Sequence, residues 1–432
     1  MRKTILYSIF LLGMISCSPK AEVKPAGRMD RTRLNIGTYI LQPYARSEQH
    51  IKDVADCGID FVVCMQDDRE ALDLFSKYGL GAVVTNVLPG WWGGDGNNAG
   101  KLSEINPMSK YEEAASAWID HPAVWGIDIG DEPSALDFPY YGEVFTKVDS
   151  LFPNQFPYLN LYPNYASVAV NNSDQTVNQL GTATYAEHIA EYVKNVPSDY
   201  ICYDFYVYSC TVPKAYDNLR IVSDACHESD RSMWIVLQVN SLYPDKWVSE
   251  NQLRFQAYTA MAFGAENIIW ACWTAGWWDN QVVDENGEKT QQYDKLKKVN
   301  AEIRNLADSY MDYRNVSTSF VGFDGTAWLD GTGIESAESL SAGSFSDVCM
   351  TDGSPAVVGM MEARDGSRKS AILVCSADEP YDEAPAQHVL RFKTTGKVTV
   401  TGTDGPVSPE KDADGFFTVP VASDSAVLIE SK

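Results

Sequence analysis

Carboxylates, amides and large aromatic side chains recur in this chain at one kind of place, the end of an apolar run. Trp125-Gly126-Ile127-Asp128-Ile129-Gly130 leads directly into Asp131-Glu132-Pro133. Two adjacent acids in a confined space raise each other's pKa, as a proton donor at neutral pH requires. Pro133 removes a backbone donor and stiffens the turn beyond them. Cys202-Tyr203-Asp204-Phe205-Tyr206 sets a third acid between two tyrosines able to hydrogen-bond it. The chemistry expected of such a pair is acid/base catalysis, with Glu132 as proton donor and Asp204 as base or nucleophile. Asp279, Asp67 and Asp68 are the substitutes for Asp204. Other runs end in Asn86, in Asn160, Tyr162 and Asn164, in Gln238 and Asn240, and in Trp270, Trp273, Trp277 and Trp278. Trp91-Trp92 falls in a long Gly- and Asn-rich segment, 89–106, of the kind that forms a lid or a wall. Indole and phenol rings cover the C–H faces of a pyranose, and amides and carboxylates meet its hydroxyls. The expected sugar contacts are therefore Asn86, Trp91, Trp92, Asp131, Asn164, Tyr206, Gln238, Trp273 and Trp277.

The elements that must position these groups follow from periodicity. Short β-type runs at 34–39, 59–65, 81–87, 124–129, 158–162, 200–206, 233–239 and 267–273 alternate with amphipathic stretches such as 48–57, 69–78, 110–119 and 251–263. Cys57-Gly58, Tyr78-Gly79 and Phe263-Gly264 close helices just before a strand, as a left-handed glycine cap does. Strand–helix alternation implies parallel strands with right-handed crossovers. Eight units in about 280 residues match a (β/α)8 barrel, whose site forms at the C-terminal ends of its strands. A doubly wound open sheet is the alternative, but no GxGxxG follows the first run. After residue 312 helical periodicity fades. Short runs at 356–361, 370–375, 388–392, 397–401, 416–421 and 426–430, separated by Asp-Gly turns, predict a small β-sandwich. The expected division is a barrel over 31–311 and a sandwich over 312–432. Trp125 and Trp234 begin or precede strands and are expected in the core.

His121-Pro122-Ala123-Val124-Trp125-Gly126 leading to Asp131-Glu132-Pro133 resembles the fourth strand of retaining (β/α)8 glycoside hydrolases, the superfamily with β-galactosidase-like and cellulase-like barrels. That resemblance covers residues 34–310, and the C-terminal sandwich resembles the β-domain often appended to such barrels. It implies that Glu132 is the acid/base and that a nucleophilic Glu ends the seventh strand. The chain departs twice: Asp131 stands where that superfamily has Asn, and Gln238 stands where the nucleophile is expected. An amide cannot form a glycosyl-enzyme. Two functions follow, a glycoside hydrolase using Glu132 with Asp204, or a non-catalytic carbohydrate-binding protein on a degenerate barrel.

Composition narrows the partners. The 432 residues carry 59 acidic and 34 basic side chains, a formal charge of −25, with 45% apolar and 12% aromatic residues. That field opposes nucleic acid and anionic surfaces. No CxxC, HExxH or GxSxG occurs and the five His are scattered, so neither a metal nor a cofactor is expected. Arg2-Lys3, the apolar run from Ile5 and Met14-Ile15-Ser16-Cys17 have the three-part pattern of a secretory signal, too short to span a bilayer. Met14-Ile15-Ser16-Cys17 resembles a bacterial lipobox, so residues 1–17 are expected to be a lipoprotein signal, Cys17 the lipidated residue and 18–30 a flexible tether. The expectation is an exported, membrane-anchored lipoprotein facing either the periplasm or the cell surface. Cys64, Cys202 and Cys272 sit in apolar runs and read as buried thiols.

Overall fold

The computed structural model describes residues 28–92, 98–168, 178–324, 326–378, 380 and 386–432. Cys17, the signal, most of the tether and residues 93–97 of the Trp91-Trp92 segment lie outside the described residues.

Eight strands form one parallel sheet: β1 (Asn35–Tyr39), β2 (Phe61–Gln66), β3 (Gly81–Thr85), β4 (Val124–Asp131), β5 (Phe156–Asn160), β6 (Tyr200–Phe205), β7 (Ser232–Gln238) and β8 (Ala265–Ala271). Their order runs β5-β4-β3-β2-β1-β8-β7-β6, and the ring closes where Leu161 bridges Tyr203 and its N–H reaches the Cys202 carbonyl at 2.9 Å. This is the expected (β/α)8 barrel. Helical segments follow every strand, among them Arg69–Tyr78, Val212–Ser229, Glu250–Ala262 and Gln291–Met311.

Inward-facing residues fill the barrel: Phe61, Val63, Val83, Phe156, Tyr158, Tyr200, Cys202, Trp234 and Val236 among them. Trp234 is fully buried there, and Trp125 packs against Phe61. The floor is closed by residues assigned in sequence to the tether and just beyond it. Met29 is buried against this interior, and Arg28 pairs with Asp120. Arg31 lies over the rings of Phe156, Tyr200 and Trp234 at 5.4, 5.6 and 4.9 Å and pairs with Asp199. Residues 28–30 are thus a plug rather than free tether. The ring faces attract the Arg31 guanidinium. The eight cysteines among the described residues are free thiols.

From Tyr313 the chain builds two further sheets, of seven and five strands, antiparallel except for one short parallel pair. Strand alternation decides what each face covers. In Ala356–Ala363, Val358 and Met360 face the five-stranded sheet and meet Val348, Leu390 and Phe392. Val357 and Met361, with Leu373 and Leu428, join the barrel's outer core instead. Helix Glu250–Ala262 lies between barrel and sandwich and is buried on nearly all sides, which explains its apolar and small residues all round. At its end the Ala262 carbonyl accepts from Asn315 and Thr318 at 2.8 and 2.9 Å. A Cβ on Gly359 would collide with that same carbonyl. Gly359→Val is therefore expected to destabilise by about 1–3 kcal/mol, measured by urea unfolding. A change no larger than at an exposed site would contradict this packing.

Candidate active site

The carboxylates converge at the C-terminal mouth of the ring. Asp131 is the last residue of β4, Asp204 lies near the end of β6, and Asn160 ends β5 between them. The Asn160 amide Nδ2 donates to Asp131 Oδ1 at 3.0 Å and to Asp204 Oδ1 at 2.8 Å. One donor shared between two carboxylates holds those oxygens no more than about 6 Å apart. Glu132 follows with φ +48°, its N–H bonded to the Asn160 carbonyl at 2.8 Å. Trp92 Nε1 donates to Glu132 Oε2 at 3.3 Å. A close approach makes this possible: Gly130 has no Cβ, and one there would collide with Tyr141 and crowd the Trp91 carbonyl. That carbonyl accepts the Asp131 N–H at 2.8 Å and draws the Trp91-Trp92 segment over the end of β4.

Left-handed backbone is concentrated here. Of nine non-glycine residues with positive φ among the described residues, six lie at this rim: Ile40, Cys64, Asn86, Glu132, Trp278 and Asn280. Each costs about 1–3 kcal/mol, and such strain tends to gather at functional sites.

Burial governs the electrostatics. It pushes Asp204 up to about 7, helped by the charge of Asp131 and opposed by hydrogen bonds from Asn160 and Tyr165. Burial raises Asp131 to about 6 against the Asn160 amide and the Glu132 N–H. Glu132 is held well above the usual carboxylate range by burial and then by the charges of Asp204 and Asp131, with the Trp92 N–H pulling the other way. Asp128 rises to about 7 through burial and Asp131, and Cys64 Sγ lies 3.7 Å from its Oδ2. Among the described residues no cation is a leading influence on these four acids. Burial and mutual repulsion therefore raise the proton affinity of all four. Behind it runs a polar chain through the barrel, from the Tyr39 hydroxyl to the Tyr158 hydroxyl at 2.6 Å, then to Cys202 Sγ at 3.4 Å and Asn160 Oδ1 at 3.5 Å.

The other expected contacts divide. Trp92 is 52% exposed beside Glu132. Trp91 is half-buried, Tyr206 follows β6, and Trp277 packs edge-on against Tyr39 at 5.7 Å and near Tyr206 at 6.2 Å. The indole N–H groups of Trp91 and Trp277 are buried with no acceptor among the described residues. Asn86 is exposed just past β3, with φ +63°.

Three expectations are corrected. Trp273 is fully buried, its ring edge-on to Tyr293 at 5.9 Å, because its N–H bonds back to Tyr39 and turns the chain inward; it is core and offers no face to a sugar. Gln238 is buried and used up: Oε1 accepts from Tyr208 N–H at 3.0 Å, and Nε2 donates to the Asn240 carbonyl at 3.0 Å. It fixes the chain after β6 and lines the cleft beside Tyr208 and Tyr243. The Asn164 amide turns away to helix Val212–Ser229, donating to the Lys214 carbonyl and to Asp217.

Asn160 and Tyr165 were not among the expected contacts. Asn160 stood at a strand end, and alternation with Tyr158 was the available signal. Tyr165 lies in a loop, and no pattern pointed to it. Among the described residues no His, Cys, Asp and Glu side chains are grouped to hold a metal ion.

No family model and no curated protein matches the chain by sequence. By structure it is similar to a GH30 endoxylanase from Clostridium papyrosolvens, with 12% identity, 93% of this chain and 96% of that chain covered, and a TM-score of 0.46. It is also similar to a putative alpha-L-fucosidase from Bacteroides thetaiotaomicron (11% identity, 66% and 98% covered, TM-score 0.45) and to a glycoside hydrolase family 5 mannosidase from Rhizomucor miehei (12%, 64% and 94%, TM-score 0.44).

Proposed function

We propose that this protein hydrolyses a glycosidic bond of an oligo- or polysaccharide. The observation that carries the reading is the acid cluster at the barrel mouth, in which Trp92 Nε1 reaches buried Glu132 while Asp204 and Asp131 share the Asn160 amide. Glu132 protonates the glycosidic oxygen as the C–O bond breaks, and the bonding electron pair leaves with that oxygen. Asp204, ionised, either attacks the anomeric carbon or takes the proton of the attacking water; Asn160 and Tyr165 keep its lone pairs aimed. Asp131 sets the charge felt by both. Trp92, Trp91, Tyr206 and Trp277 supply ring faces to the sugar. The test is release of reducing sugar or aglycone from a panel of glycosides by the wild type, lost in both Glu132→Gln and Asp204→Asn. Turnover surviving both changes removes this mechanism.

Gln238 favours a second reading. The end of β7 carries an amide committed to internal hydrogen bonds, with no carboxylate in its place. A barrel that binds saccharide without turnover fits that feature. Retention on a saccharide with no product from any substrate would select it.

The localisation we propose is a lipid anchor at Cys17, with the barrel outside the cytoplasm. Among the described residues no helix is long and apolar enough to cross a membrane. Cys17→Ser is expected to abolish incorporation of labelled palmitate and to release the protein from the membrane fraction. Unchanged labelling would end the proposal.

A further inference from the structure

The geometry points to a distal saccharide subsite built by the segment after β7, opposite Trp92 across the barrel mouth. In a ring of eight strands the third and seventh face each other. Trp92 follows β3, and Leu242, Tyr243, Lys246 and Trp247 follow β7. The acid cluster at the ends of β4 and β6 lies on the rim between these two aromatic brackets.

Tyr208, Tyr243, Lys246, Trp247 and Gln252 line a cleft of about 420 Å³ on this rim, with Pro380 from the sandwich as a further wall. Tyr243 is 52% and Leu242 44% exposed, an apolar surface a folded chain leaves open when something else covers it. Lys246 sits 5.1 Å from the Tyr243 ring and is the charged member of the lining. Its ammonium can donate to a hydroxyl or a carboxylate of a sugar stacked on the neighbouring rings.

The segment is held rigidly to the site. Ser241 bridges Asp279, and Asn280 Nδ2 donates to the Tyr243 and Lys246 carbonyls at 3.3 and 2.8 Å. Trp278, in the same clamp, packs edge-on against Tyr206 at 4.7 Å, two residues from Asp204. A platform tied this closely to the acid cluster is pre-organised for the next sugar of the same chain. The substrate class is thus an oligosaccharide long enough to reach across the mouth, rather than a single glycosyl unit.

This inference rests on the saccharide reading, and its test separates the two. Glu132→Gln, alone and combined with Tyr243→Ala and Trp247→Ala, is run in gels containing xylan, galactomannan, hydroxyethyl cellulose or polygalacturonate. In whichever polymer retards the parent, removing the two rings is expected to weaken binding about tenfold, one stacking contact's worth. Calorimetry with the di- to hexasaccharides of that polymer is expected to show a loss that grows with chain length. Tyr243→Ala alone, at an exposed ring, gives a smaller loss and guards against misfolding of the double change. Equal retention of parent and ring variants overturns the subsite, even if hydrolysis depends on Glu132 and Asp204. Reduced retention in a protein without turnover leaves the subsite standing and removes the hydrolytic reading. Retention in none of the four polymers overturns the subsite.

Discussion

Glu132→Gln is expected to lower kcat/KM on substrates with poor leaving groups by about 10²–10⁴-fold, the contribution of a positioned general acid. A glycosidic oxygen leaves poorly unless protonated as the bond breaks. Burial and the charges of Asp204 and Asp131 hold Glu132 well above the usual carboxylate range, so it can carry that proton. Gln preserves the shape and still faces Trp92 Nε1 with an oxygen, so binding is expected to change little. Two further results separate lost acid catalysis from general damage. Activated aryl glycosides, whose leaving group needs no proton, are expected to lose much less rate. The alkaline limb of the pH profile, where the wild type loses the Glu132 proton, is expected to vanish. Equal loss on activated and unactivated substrates would assign Glu132 another role.

Asp204→Asn is expected to reduce turnover by about 10²–10⁴-fold while making the protein more stable above neutral pH. Folding raises the pKa of Asp204 from 3.8 to about 7. The folded state therefore binds this proton more tightly than the unfolded chain, and stability falls as pH rises between the two values. The penalty is absent below about pH 4 and complete above about pH 7. Each pKa unit is worth ~1.4 kcal/mol, so the cost of ionising Asp204 at pH 8 is on the order of 4 kcal/mol. An amide removes that cost, relieves Asp131 and Glu132 of a neighbouring charge, and leaves an oxygen to accept from Asn160. Thermal melts should show the variant several degrees above the wild type at pH 8 and level with it near pH 4. A variant less stable at pH 8 would mean that Asp204 is held ionised by contacts stronger than burial. Activity lost with stability gained is what a strained catalytic group gives, and a purely structural aspartate gives the reverse.

Much of this architecture is legible in residue patterns because one local rule fixes it. Helix Arg69–Tyr78 ends at left-handed Gly79, as the Tyr78-Gly79 pair predicts, while Asp68, a candidate acid by sequence, is its N-cap. The barrel strands are apolar runs because helices or core cover both their faces. Strand Tyr313–Val321 escaped notice because its middle residues, Arg314 and Val316 to Ser319, are exposed or half-buried and polar enough to hide the alternation. Its pairing with Ala356–Ala363 is long-range.

At the site, periodicity alone shows which strand ends carry acids, with β4 leading to Asp131-Glu132 and β6 to Asp204. How those acids are wired, and which neighbours face them, depends on the closed ring. Asn160 reaches both carboxylates because β5 stands between β4 and β6 in the closed ring. Beyond a strand's last residue no period constrains direction. Trp273 is drawn inward by a backbone bond to Tyr39 while Trp277, four residues on, reaches Tyr206 at the mouth. Gln238 and Asn164 look like sugar ligands by type and position, yet Gln238 serves the Tyr208 and Asn240 backbone and the Asn164 amide is taken by Lys214 and Asp217 of a neighbouring helix.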